Sequence, residues 1–221
     1  RIRREAGEAV RAAITGVRLE SRYTIGERAQ TDRDAVDSVL GLVDELVPTL
    51  YRPHLDLSEV DVYFTMPLFP TIGEHFATHT IPREPPRQIG YVVSQPYTGV
   101  VIYAADPLPL HGTDRVESVL PALFPGLYDE QMRLLVEREY YDPAYLNRWG
   151  AAAYMSSLEY NRRWQAQDRG AEQPYQDRIG DNPLRILARG VFGIMPTDPI
   201  ISQEAARILL SEPNRHLLTE G

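Results

Sequence analysis

The chain has no cysteine and no lysine. Without cysteine there is no thiol nucleophile, no disulfide and no thiolate metal ligand. Without lysine there is no Schiff-base amine and no phosphate-binding loop of the GxxxxGK type. Arginine alone supplies the basic charge, a bias that points first to GC-rich coding. Long apolar runs are also missing. The longest, around residues 99–105, is strand-sized, far short of the roughly 20 residues of a membrane-spanning helix. Excess positive charge is missing too: net charge is −8 and the pI about 5.2. That balance disfavours non-specific nucleic-acid binding, which needs clustered cations to displace counterions. Absent cysteine is compatible with an oxidising envelope or periplasm, and equally with chance. The chain opens on Arg1 rather than Met, which reads as a processed or trimmed N-terminus.

What is present is an ordinary globular composition, 43% hydrophobic and 24% charged over 221 residues, enough to bury a core. Residues 1–15 place Ile2, Ala6, Ala9, Val10, Ala13 and Ile14 at helical spacing. Val17, Leu19 and Tyr23 alternate with charges and predict a half-buried strand. Asp32 and Asp34 open a second helix whose stripe is Val36, Val39, Leu40, Val43, Leu46, Val47 and Leu50, with Pro53 beyond its end. Residues 61–66 are strand-like. Pro67, Pro70, Pro82, Pro85 and Pro86 break the next segment, which is long for a loop and reads as functional or as cover for a core edge. The apolar runs on either side of Pro96 predict one interrupted strand or a hairpin.

Further along, residues 131–139 have helix propensity. Asp142 and Pro143 start a helix predicted to run to about Trp164. Residues 184–193 return to a strand, residues 195–200 read as a turn, and Ser202 caps a last helix with Ala205, Ala206, Leu209 and Leu210 facing a core. No repeat or low-complexity tract appears. The expectation is a single α+β domain over residues 1–221, with helices on one face of a mostly antiparallel sheet and a sub-boundary allowed in residues 67–90.

Chemistry-bearing residues fall into three groups, each with a structural alternative. His75 and His79 stand four apart beside Glu74. On a helix they would share a face and could hold zinc, but the Glu precedes both histidines instead of lying between them, and loop histidines are the alternative. His111, Asp114, Asp129 and Glu130 could form an acid–base cluster. No GxSxG and no cysteine supplies a nucleophile, Thr113 is the nearest hydroxyl, and turn or helix capping is the alternative. Tyr140, Tyr141, Tyr145, Tyr154, Tyr160, Trp149 and Trp164 could stack on sugars, or serve as core and rim. No complete catalytic or metal constellation emerges, and no cofactor is expected.

The order of several short motifs resembles the FlgT-like and small outer-membrane lipoprotein (LPP-type) family of the bacterial envelope. They are an N-terminal helix–strand–helix, Thr98-Gly99-Val100-Val101-Ile102, Pro125-Gly126-Leu127-Tyr128-Asp129-Glu130, Asp142-Pro143 ahead of Gly150 and Tyr154, Arg178-Ile179-Gly180-Asp181-Asn182-Pro183-Leu184, and Asp198-Pro199-Ile200-Ile201-Ser202 with Glu204, Ala205 and Ala206. The resemblance implies a non-catalytic periplasmic scaffold, with any lipid anchor upstream of Arg1. Its partners would be envelope or flagellar proteins, and a closing strand would lie beyond Gly221. Two other classes stay open: an envelope glycan or peptide hydrolase using His111 with Asp114 or Asp129, and a ligand- or peptide-binding module built on the tyrosine-rich helix and the proline-rich loop.

Overall fold

Helix α1 (Ile2–Thr15) carries the expected periodicity and presents Ile14 to the core. It ends where Gly16 N–H closes on the Ala12 carbonyl. The computed structural model describes residues 2–55, 59–156 and 176–220. The strand expected at Val17, Leu19 and Tyr23 reduces to one bridge, Arg18 to Thr24. A stronger local signal wins there. Thr24 and Glu27 form a capping box that opens α2 (Ile25–Arg28): the Thr24 hydroxyl accepts from Glu27 N–H, and the Glu27 carboxylate accepts from Thr24 N–H.

Helix α3 (Arg33–Glu45) is capped by Asp32 and buries Val36, Val39 and Val43. Its apolar stripe stops earlier than periodicity predicts, because Pro48 pushes the residue before it out of helical conformation. Leu46 is already extended and Val47 is exposed. Leu50 instead begins β1 (Leu50–Pro53), antiparallel to β2 (Val60–Tyr63).

After the proline-rich segment, β3 (Val100–Tyr103) pairs in parallel with β8 (Leu184–Leu187). This corrects the hairpin expected around Pro96, since the run before that proline pairs with no strand among the described residues. In β8, Leu184 and Ile186 point inward while Arg185 and Leu187 face out, the two-residue period of a half-buried strand. A small antiparallel pair, β4 (Leu108–Pro109) with β5 (Val116–Glu117), leads to the largest sheet. That sheet runs in the order β7 (Leu134–Val136), β6 (Leu127–Asp129), β10 (Asp198–Ile201), β9 (Gly190–Phe192).

Two expectations are corrected in this sheet. Residues 131–139 are not a helix. Met132 turns the chain with φ of 59°, and β7 then buries Leu135 and Val136 side by side against β6. Residues 198–201 are not part of a turn: β10 is one of the two inner strands, parallel to β6 and antiparallel to β9.

Helix α4 (Pro143–Trp149) starts as expected on Asp142, but Gly150 ends it with φ of 72°. The remainder of the predicted helix, including Tyr160 and Trp164, lies mostly outside the described residues. The chain closes with α5 (Gln176–Ile179), α6 (Gln203–Leu209) and α7 (Leu217–Glu220). Ser202 caps α6, and Ala206, Leu209 and Leu210 are buried. The fold class is α+β, with small, mostly antiparallel sheets and helices sharing one apolar cluster from Ile14 to Leu218. Among the described residues no helix is long and apolar enough to cross a membrane.

Candidate functional site

The acid–base candidates are taken up by turns. Asp129 is fully buried, and its Oδ1 accepts the amides of Gln131 and Arg133 at 3.0 and 2.9 Å. Its Oδ2 accepts from Arg133 Nε at 3.0 Å. Glu130 accepts the amide of Gln203 at the start of α6. His111 lies between β4 and β5, with its ring edge-on to Phe192 at 6.0 Å, and Phe192 in turn meets Tyr128 at 5.1 Å. Tyr128 and Asp129 are successive strand residues and face opposite sides of β6. His111 therefore sits on the side away from the Asp129 carboxylate. Thr113 folds its hydroxyl back onto the Leu110 carbonyl and accepts from Arg115 N–H, and Asp114 is exposed in that turn.

The histidine pair is not on a helix. His75 ends a short 3₁₀ turn (Gly73–His75) and His79 follows in irregular chain. His79 Nε2 donates to the Tyr141 carbonyl at 2.7 Å, which fixes the ring by its contact with the chain before α4. Among the described residues no group of three or more His, Asp or Glu could hold a metal ion. Of the tyrosines, Tyr140 and Tyr141 are buried, and Tyr154 grips Ala122 through both its N–H and its carbonyl. Burial pushes the Tyr154 phenol up to about 12 and the Tyr141 phenol higher still. Trp149 lies under the Arg148 guanidinium.

Sequence reasoning missed Asp198. It is 3% exposed, and its Oδ1 accepts from Thr197 Oγ1 at 2.8 Å and from Gly126 N–H at 3.0 Å. Burial raises its carboxyl above the ordinary value, while hydrogen bonds from Ser21, Thr197 and Gly126 pull it partly back. The motif that opens the last helix contains Asp198 but does not announce its buried role, because Gly126 is 72 residues away.

The surface that stands out is a strap at the end of the proline-rich segment. Residues 91–97 run without a turn or bend. One end is tied by Gln88 N–H to the Leu210 carbonyl, past the end of α6. The other is tied by Asn214, which is fully buried. Asn214 Oδ1 accepts from Tyr97 N–H, and Nδ2 donates to Ser94 Oγ and the Gln95 carbonyl. Between these ties, Ile89, Tyr91 and Val93 are 92%, 92% and 82% exposed. None of the amides of residues 89–95 donates a hydrogen bond among the described residues. A groove of about 530 Å³ separates Tyr91, Val92 and Val93 from Gln203, Glu204, Arg207 and Ile208 of α6. Before the strap, Glu84 bridges Arg87 and Arg215, and those arginines, Arg87 foremost, hold its carboxyl below the ordinary range.

Residues 99–221, more than half of the chain, match the family described as Treponema pallidum Tp0624, second domain. The chain belongs to this family. No curated protein matches it. The stretch matching the Tp0624 second domain contains β3 to β10, α6 and Asn214, whereas the strap lies ahead of it. One wall of the groove thus comes from the family region and the other from the segment before it.

Proposed function

We propose that this chain is a non-catalytic scaffold domain of the bacterial envelope, periplasmic in location, that holds a partner protein on the strap and the adjoining face of α6. The observation that carries this reading is the trio Ile89, Tyr91 and Val93, three large apolar side chains fully presented to solvent on one short uncharged stretch. Exposed apolar residues are ordinary singly, but clustered beside a groove they mark an interaction site. The resemblance to FlgT-like and LPP-type envelope proteins supports the compartment and the assembly role. The hydrolase alternative finds no support at Asp129, whose oxygens are engaged by its own turn.

The test is crosslinking in living cells of the organism that produces the protein, with a photoreactive residue at position 91 of the full-length chain. A crosslinked envelope protein that disappears when Ile89 and Val93 become Ser, at unchanged circular dichroism, is the expected result. Crosslinking to the same proteins regardless of those substitutions would overturn the reading. For the flagellar version, a deletion strain should lose motility; normal motility with normal basal bodies would sink that version alone.

A further inference from the structure

We propose that the partner docks by strand addition: an extended polypeptide segment pairs backbone to backbone with the strap and lays its apolar side chains into the groove against Val92 and Ile208. This rests on the docking reading above and specifies its mode and the chemistry of the occupant.

Three observations point to a backbone as the ligand. The first is the row of unused polar groups. None of the amides of residues 89–95, and none of the carbonyls of residues 90–93, has a hydrogen-bond partner among the described residues. Elsewhere the chain spends such groups on pairing, as β3 does with β8. A straight segment with free N–H and C=O groups is a template for another strand.

The second is composition. Tyr91, Val92 and Val93 are strong strand formers, and no charged residue occurs in residues 88–97. Exposed edges that must stay unpaired are usually protected by charges, proline or a bulge. Here Pro85, Pro86 and Pro96 lie only at the ends, and Gly90, with φ of 94°, turns the chain just before the straight part. The free template is therefore residues 91–95, about 17 Å at strand rise.

The third is fixation. Gln88 and Asn214 hold both ends to the C-terminal helices, so the strap cannot fold down to fill the groove it borders. A template fixed before binding loses little conformational entropy when it pairs. The groove walls carry Glu204 and Arg207 together, so they demand no net charge of the occupant. The fitting partner segment is four to six residues long, strand-prone, apolar at alternate positions and free of proline in the paired stretch.

The experiment selects a displayed library of random decapeptides on the full-length chain, with counter-selection on the chain in which Ile89, Tyr91 and Val93 are all Ser. Amide exchange of the chain is then followed by NMR with the best peptide bound. In a ladder, alternate amides point to the same side. Strand addition therefore predicts at least tenfold slower exchange at every second residue, either Tyr91, Val93 and Gln95 or Val92 and Ser94. It also predicts that N-methylation of the peptide abolishes binding at one parity of positions only. Peptide binding without alternating protection would overturn strand addition and leave the docking surface standing. A dimer in sedimentation that the triple Ser variant dissolves would overturn it in favour of a second copy on the strap. If no peptide is enriched over the triple variant, and crosslinking at position 91 is indifferent to Ile89 and Val93, strand addition and the docking reading fall together.

Discussion

The side-chain carbonyl of Asn214 accepts the backbone amide of Tyr97 at 2.9 Å, across 117 residues of chain. The Nδ2 of the same side chain, with two hydrogens to donate, lies within hydrogen-bond distance of Ser94, Gln95, Ile208 and Ser211. It therefore serves the strap and the turn after α6 at once, with no exposed surface. Buried donors and acceptors left without partners cost about 1–3 kcal/mol each. Asn214→Ala should lower unfolding free energy by about 3 kcal/mol in urea titration. Asn214→Leu, similar in size, should be no better, because it leaves the Tyr97 N–H without its acceptor. Both variants should speed amide exchange at Tyr97 before they affect Leu135 in the core.

Asp198 makes stability depend on pH. In the unfolded chain its carboxyl titrates near the ordinary 3.8, and in the folded chain burial raises that value. Between the two values the folded state holds more protons than the unfolded state. Stability contributed by Asp198 is therefore complete below the unfolded value and is lost as pH rises through the folded one, with a slope of at most about 1.4 kcal/mol per pH unit. Asp198→Asn keeps an acceptor for Thr197 and Gly126 but does not titrate. The stability of the Asn variant relative to wild type should thus climb as pH is raised from 3.5, then level off above the raised value. Urea titrations at half-unit steps check this, and a flat difference would refute it.

Local signals were legible in the sequence and distant ones were not. Asp32, Asp142 with Pro143, and Ser202 each announce a helix start through hydrogen bonds spanning two or three residues. Thr24 and Glu27 announce one too, although the alternation of Val17, Leu19 and Tyr23 competes with it. The stretch 131–139, which contains β7, misleads because Leu, Glu and Arg favour a helix in isolation, while the pairing of Leu127 with Val136 decides otherwise. Nothing near Val100 predicts a parallel partner at Leu184. The proline-rich segment could be recognised as irregular and as potentially functional. Its docking character could not, since the groove needs α6 beside it.

Asp129 provides a contrast between a charge and its turn. Removing it takes the acceptor from the amides of Gln131 and Arg133, so Asp129→Ala should destabilise by about 3 kcal/mol. Arg133→Ala removes a side chain that is 42% exposed and should cost less than about 1 kcal/mol. Comparable losses from the two substitutions would show that the ion pair, rather than the turn amides, carries the effect.

Two glycines in left-handed conformation separate strain from collision. Gly90 has φ of 94° and open space where a Cβ would go. Gly150 has φ of 72°, and a Cβ there would lie 2.8 Å from Cδ2 of Phe69. Phe69 itself packs edge-on against buried Phe124 at 5.5 Å, so its ring has little freedom to retreat. An L side chain in this conformation costs about 1–2 kcal/mol on its own. Gly90→Ala should lose about that amount or less, because the strap can relax toward solvent. Gly150→Ala adds overpacking of the core and should lose about 3 kcal/mol or more. It should also loosen the carbonyls of Trp149, Gly150 and Ala151, which the Arg178 guanidinium gathers at the end of α4. Urea unfolding of the two variants side by side checks the order. Equal losses would mean that Phe69 moves aside freely and that backbone strain alone sets the cost at both positions.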